Sequence, residues 1–174
     1  MPLNLNRLSK IAKFLISSNL SSPITLQDFH AKALTDYGIN DFWPEVVQKE
    51  VKNKKDNITK ETDVLETFPF VTIDGEDAKD FDDAIFCEFS DNGFHLKVAI
   101  ADVSFYVKEG SALDLEAAKR TTSVYMPKKV VPMLPEKLSN ELCSLQPNKR
   151  RRCLCIEMDF DKDGYIRSYK FHRG

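Results

Sequence analysis

The sequence predicts an α+β fold, with helices in front and a mostly antiparallel, β-rich portion behind. Three observations predict it. Apolar residues recur at three- and four-residue steps through the first third of the chain. From about residue 68 the apolar period becomes two. The alternating stretches also come in pairs, joined by the polar segments SDNG and DKDG.

Leu5, Leu8, Ile11, Ala12, Leu15 and Ile16 form one stripe and predict an amphipathic helix. SSPITLQDFHAKALTDYG predicts a second helix. Pro23 stands near its start, Gly38 lies just past its end, and Leu26, Phe29, Ala33, Leu34 and Tyr37 make its apolar face. WPEVVQKEVKNKK predicts a third, with Pro44 at the first helical position and Val47 and Val51 facing inward. Residues 52–66 are polar and charged. They are the expected linker, so that residues 1–66 form a helical lead-in and residues 67–174 a β-rich domain.

FPFVTI predicts a short strand. AIFCEF, SDNG and FHLKVAIADVSFYV predict a hairpin turning at Asn92-Gly93. SALDLEAAKR predicts a short helix with Ser111 as its N-cap. YMPKKVVPMLPEKL is punctuated by proline and predicts irregular chain leading into a short helix near residues 136–145. CLCIEMDF, DKDG and YIRSYKF predict a second hairpin.

The chain has 174 residues, 42% hydrophobic and 30% charged, which is the balance of a folded domain with a proper core. Its 25 Lys and Arg against 27 Asp and Glu give a net charge of −2. Attraction to nucleic acid must therefore come from a local patch. No apolar run reaches the roughly 18 residues of a membrane span, and the amphipathic N-terminus with Arg7, Lys10 and Lys13 is unlike a signal peptide. Cys87, Cys143, Cys153 and Cys155 form no CxxC, and His30, His95 and His172 show no ligand spacing. The expectation is reduced, mostly buried thiols in a cytoplasmic protein, with no zinc site.

The stretch that carries chemistry is DAKDFDD, residues 77–83. Within ten positions Asp74, Glu76, Asp77, Asp80, Asp82 and Asp83 stand against the single base Lys79. Two unit charges about 5 Å apart repel by about 3 kcal/mol at an effective dielectric of about 20. The carboxylates must either spread into water or gather around a cation. A solvated acidic loop is the ordinary outcome of a charge run. Against it, the acids are nearly all Asp, Phe81 interrupts them and an apolar strand follows at once. Asp74 ends one predicted strand, and Asp80, Asp82 and Asp83 lead into another, so two strand ends bring them together. In extended chain Asp80 and Asp82 share a face while Asp83 points away, so the loop must bend for all to converge. Carboxylate oxygens without Cys or His favour Mg²⁺ or Mn²⁺ over zinc, and acids around paired ions suit phosphodiester cleavage.

Two other stretches invite a function. DFDKDGYIRSYK, residues 159–170, places Asp159, Asp161, Asp163 and Gly164 as in a calcium loop, but Lys170 stands where a bidentate Glu is needed. Its flanks alternate as strands do, so a hairpin turn at Asp163-Gly164 is the better reading. NKRRRC sets Lys149, Arg150, Arg151 and Arg152 together, either as a solvated loop or as phosphate contacts along an RNA path.

TIDGEDAKDFDDAIFCE closely resembles the catalytic motif of the ribonuclease II/ribonuclease R exonuclease family, the RNB domain family. The likeness runs on in order through VAIADVSFYV, TSVYMP and VVPMLPEKLSNELCSLQP, over residues 68–171, and is nearer the ribonuclease R branch. Upstream, ALTDYGINDFWPEVVQKEV is similar to the family's helical lead-in.

The resemblance implies processive, Mg²⁺-dependent 3′→5′ hydrolysis of single-stranded RNA to nucleoside 5′-monophosphates, with Mn²⁺ as a substitute ion and no DNA or membrane partner. It implies that Asp74, Asp80, Asp82 and Asp83 hold metal, with Asp80 and Asp82 catalytic and Asp82 the most critical for cleavage. Tyr125 is implied to stack on a base near the 3′ end and set the final product length, and Arg151 to contact the substrate. Glu76 and Asp77 remain solvated loop acids. The resemblance also implies that the chain holds only the front portion of the catalytic domain. The expectation for this chain therefore divides between a working exonuclease and a non-catalytic segment that binds divalent metal or RNA weakly. Nothing in the sequence bears on oligomeric state.

Overall fold

The computed structural model describes residues 25–55, 65 and 67–174. The first predicted helix and most of the predicted linker lie outside them. In chain order the elements are α1 (Leu26–Tyr37), α2 (Glu45–Asn53), β1 (Asp83–Ser90), β2 (Gly93–Ala101), α3 (Val103–Tyr106) and α4 (Ala112–Arg120). There follow β3 (Val124–Met126), β4 (Lys129–Val131), a π-helical segment (Lys137–Leu142), β5 (Cys153–Asp161) and β6 (Ile166–Arg173). The class is mixed α+β, as the apolar periods predict. The chain divides into two compact units: residues up to Phe42 with Val124–Val131, and Trp43–Ser123 with Pro132–Gly174.

In the first unit, α1 begins at a reciprocal cap. Thr25 Oγ1 accepts the Asp28 N–H, and the Asp28 carboxylate accepts the Thr25 N–H at 2.8 Å. It ends where Gly38 turns left-handed at φ 63°, a conformation that suits glycine. Phe29, Ala33 and Leu34 are half-buried, but Leu26 and Tyr37 of the expected apolar face are exposed. β3 and β4 pair as a small antiparallel hairpin where irregular chain was expected. His30 Nε2 bonds to Pro127 O at 2.9 Å and Lys129 pairs with Asp41 at 2.7 Å, tying that hairpin to the helix and its following loop.

The second unit is built on a four-stranded antiparallel sheet in the order β1-β2-β5-β6. The first hairpin turns at Asp91-Asn92, one residue before the expected position, because Gly93 already pairs with Ser90. Gly93 answers a different need. A Cβ there would lie 2.0 Å from Phe160 O of β5, so only glycine lets the strands close. β2 ends at Ala101 rather than running through FYV, and Val103–Tyr106 turn as a short helix capped by Asp102. FPFVTI forms no strand of its own; only Val71 bridges, to Ile85 on the outer edge of β1. Pro44 stands as the N-cap of α2, one place before the expected one, while Val47 and Val51 face inward as predicted.

The core of this unit gathers Val47 and Val51 of α2, Ala101, Tyr106, Leu113 of α4, and Leu134, Leu138, Leu142 and Cys143. Each fully buried Leu or Val contributes roughly 1.5–3 kcal/mol. Arg120 of α4 stacks on Trp43 with its guanidinium 3.6 Å from the ring centre.

The two faces of the sheet differ in an unusual sense. One carries Ala84, Ala99, Ala101, Cys153 and Cys155, all buried, together with Lys97, which is 3% exposed. Lys97 is paired with Glu157 at 2.8 Å, and Glu157 also meets His95 and His172. The opposite face is more apolar, yet none of its residues is buried. Phe89 is 86% exposed and Phe171 70%, with Ile100, Leu154 and Tyr169 also open. The four cysteines are free thiols, three buried and Cys87 exposed. Among the described residues, no helix is long and apolar enough to cross a membrane.

Candidate functional site

The acidic stretch forms the loop between Val71 and β1. Val71 and Ile85 exchange N–H···O bonds at 2.8 Å, which aligns the incoming chain antiparallel to β1. Asp74 lies three residues beyond Val71 and Asp82 three before Ile85, so the two stand equally far along the chain from that bridge. A tight turn, with Ala78 N–H on Gly75 O at 3.0 Å, holds Glu76 and Asp77 at an exposed tip. The chain then returns inward through Asp80 and half-buried Phe81.

Three residues of the second unit grip this return. Ser144 Oγ donates to Lys79 O at 2.7 Å and accepts the Phe81 N–H at 3.2 Å. Leu145 N–H donates to Phe81 O at 2.8 Å. On the sheet side, Ala101 N–H donates to Asp82 O at 2.9 Å. The loop's backbone is thereby fixed while its carboxylates remain at or near the surface.

The other three sequence-predicted aspartates all act electrostatically on Asp82. The Asp82 carboxyl is pushed above its ordinary range, first by the protein mass around it and then by Asp80, Asp83 and Asp74 in turn. Asp82 is nonetheless open to solvent, so water and solutes reach it. As the side chains stand, no three acidic, histidine or cysteine groups among the described residues converge closely enough to hold a metal ion. The donor set itself is hard carboxylate oxygen, the kind that Mg²⁺ and Mn²⁺ take, and a cation among them would relieve the repulsion felt at Asp82.

The two residues expected to meet substrate have different settings. Tyr125 lies on β3, in the first unit, with 67% of its surface exposed. Arg151 is half-buried, and its guanidinium reaches main-chain carbonyls: Nε donates to Glu141 O at 2.7 Å and Ser144 O at 3.2 Å, and Nη1 to Arg150 O at 2.8 Å. It thus secures the end of the π-helical segment that delivers Ser144. The basic run is not one patch, since Arg152 is buried with its guanidinium 3.8 Å from the Phe105 ring.

The calcium-loop pattern resolves as a hairpin. Asp161 accepts the N–H groups of Asp163 and Tyr165, and Asp159 bonds to His95 and Ser168. Burial first, then nearby carboxylates, pushes the Cys143 thiol up to about 12; burial and neighbouring negative charge raise Cys153 to about 11. Among the carboxylates that raise Cys143, Asp82 acts most strongly. Sequence pattern alone does not distinguish Ser144. The only signal for it is a serine set between the apolar Cys143 and Leu145, inside a stretch already notable for other reasons.

Comparison with known proteins agrees with this architecture. Residues 62–174 match the RNB domain. The chain is 53% identical to ribonuclease R of Vibrio parahaemolyticus over 135 residues, 75% of this chain and 16% of that protein. It is 48% identical to ribonuclease R of Escherichia coli over 145 residues, 80% of this chain and 18% of that protein. The chain therefore spans less than a fifth of the length of these two relatives. In structure it is similar to Mycoplasma genitalium RNase R in complex with double-stranded RNA, at a TM-score of 0.80 and 36% identity, over 84% of this chain and 27% of that one. The same enzyme in complex with ribose-methylated single-stranded RNA gives 0.77 and 38%.

Proposed function

We infer function from one premise: the chain belongs to the RNB-domain family. On that premise the chain contributes to a 3′→5′ exoribonuclease that shortens single-stranded RNA to nucleoside 5′-monophosphates in the cytoplasm. The observation that carries this reading is Asp82, a carboxylate raised by its surroundings and by three further aspartates on a loop with a fixed backbone.

Asp74, Asp80, Asp82 and Asp83 would hold Mg²⁺ or Mn²⁺. When bound, such ions supply the Lewis acidity that activates water and steadies the leaving oxygen in phosphodiester cleavage. The chain's own residues have separate tasks. Asp82 presents an exposed carboxylate, and Asp80 a half-buried one, to an approaching anionic substrate. The exposed Tyr125 ring offers a stacking surface worth about 1–3 kcal/mol per base and indifferent to sequence. Arg151 is assigned to the RNA as well, in addition to its bonds to the carbonyls of Glu141 and Ser144. The free thiols suit a reducing compartment.

A second reading is favoured by one observation. As the side chains stand, no three acidic, histidine or cysteine groups among the described residues gather closely enough to hold a metal ion. On that reading this chain binds divalent ions or RNA weakly without turnover.

A time course on 5′-labelled single-stranded RNA with Mg²⁺ or Mn²⁺, beside an Asp82→Asn control, separates the two. Stepwise shortening from the 3′ end, lost in the control, supports the nuclease. Shortening that survives Asp82→Asn overturns the site. Binding without shortening, in a folded sample, supports the second reading.

A further inference from the structure

The acidic loop is not positioned by its own residues. Asp80 lies between two backbone groups, the Lys79 carbonyl and the Phe81 amide, and both are bonded to one hydroxyl. That hydroxyl is Ser144 Oγ, at 2.7 Å from the first and 3.2 Å from the second. Ser144 is 0% exposed, so water cannot stand in for either bond. A hydroxyl can donate one bond and accept others, and here it does both at once. An apolar replacement would leave a carbonyl and an amide without their partner beneath the loop.

The serine is itself delivered by a particular geometry. Cys143 N–H bonds to Leu138 O at 2.8 Å, five residues back, which is the wide turn of a π-helix. The wide turn moves the following residues out of α-helical phase. Arg151 then fixes the Ser144 carbonyl, and Leu145 N–H reaches Phe81 O directly after it. From Arg151 through Ser144 to the loop there is a continuous set of hydrogen bonds ending at the peptide that bears Asp80.

We propose that Ser144 is a positioning residue for the acidic site: its buried hydroxyl fixes the peptide carrying Asp80 and so the spacing of Asp80 and Asp82. This rests on the reading of the aspartates as a divalent-ion site. Groups that orient metal ligands without touching the metal typically change affinity by roughly 10–100-fold when removed. That is the range expected here.

Ser144→Val and Ser144→Thr make a matched pair, since each adds methyl bulk to the buried position but only threonine keeps the hydroxyl. Mn²⁺ titration of the whole chain, by electron paramagnetic resonance, should show affinity weakened by roughly 10-fold or more in Ser144→Val and largely restored in Ser144→Thr. Equal affinities in two folded variants would overturn the proposal. Amide hydrogen exchange at Phe81 gives a second reading that needs no metal. Protection is expected in the unaltered chain and in Ser144→Thr, and its loss in Ser144→Val. An unaltered chain whose Phe81 amide exchanges as fast as those of Glu76 and Asp77 overturns the clamp, whatever the variants do. If the unaltered chain binds no Mn²⁺, the ion-site reading fails, and the exchange contrast still decides whether Ser144 holds the loop.

Discussion

Arg173, the last residue of β6, forks onto both oxygens of Asp102, the residue that follows β2: Nε reaches Oδ2 at 2.7 Å and Nη2 reaches Oδ1 at 3.1 Å. Asp102 is fully buried, and it also accepts Ser104 Oγ–H at 2.7 Å and the Phe105 N–H that starts α3. Burial alone would raise this carboxyl. The donors outweigh it, Arg173 first among them, and hold it below its ordinary range. Arg173→Met leaves that carboxylate without its cation. Because Arg173 itself is half-exposed, the expected loss is modest for such a pair, read as a lower urea midpoint with unchanged slope.

Glu157 should make stability depend on pH. Its hydrogen bond from Lys97 comes first, with His172 and the Lys97 and His95 charges adding to it against burial, and the carboxyl sits below its ordinary 4.5. A carboxylate held low in the folded state contributes stability above its unfolded value, and that contribution is lost as pH falls through the folded value. Glu157→Gln should therefore melt below the unaltered chain at about pH 7, with the gap closing as pH falls below 4.5 and through the lower folded-state value. A gap that stays constant would mean that Lys97 is not stabilised by this charge.

The opposite sign applies at Asp82. Its carboxyl is raised, so the ionised form carries a cost in the folded state. Asp82→Asn should raise the melting temperature slightly, roughly 1–2 °C, in metal-free buffer. Added Mg²⁺ or Mn²⁺ should stabilise the unaltered chain more than the variant. A variant less stable in metal-free buffer would show that the crowding of the four carboxylates is relieved in some other way.

Tyr125 should set where degradation stops. In a preparation that shortens RNA, Tyr125→Ala is expected to lengthen the limit product, because one stacked base loses about 1–3 kcal/mol of hold. The end product is sized on a denaturing gel. An unchanged size would remove Tyr125 from the substrate path.

The open apolar face of the sheet should bind a dye such as anilinonaphthalene sulfonate, since Phe89, Tyr169 and Phe171 form part of a surface with no buried residue. Phe171→Lys combined with Tyr169→Lys should lower the fluorescence without lowering stability. A dye-silent chain would mean that this face is covered in solution.

The sequence carried the local structure and much less of the long-range structure. Ser111 and the Gly38 stop were legible because their partners lie within a few residues. So were the hairpins joining β1 to β2 and β5 to β6, which rest on apolar alternation and short turns. The sequence predicts strand where α3 forms, because VSFYV continues an alternating pattern; what bends it is the Asp102 cap, whose buried charge depends on an arginine 71 residues away. β3 and β4 are only three residues each and flank Pro127, too little for periodicity to register. The acids of the candidate site stood out by composition, and Val71 with Ile85 explains why their two segments meet. Ser144 could not stand out, because its partners are backbone groups 63 and 65 residues distant, and backbone leaves no trace in residue identity.

The distribution of the cysteines equips this chain for labelling without mutagenesis. Cys143, Cys153 and Cys155 are buried with thiols raised above their usual range, so at neutral pH they are poor nucleophiles. Cys87 alone is exposed. It sits on β1, four residues from Asp83 and on the same strand face, a run of roughly 13 Å along an extended strand. A maleimide spin label or fluorophore should therefore attach at one native position, within paramagnetic or energy-transfer range of the aspartates, and report what enters the acidic loop.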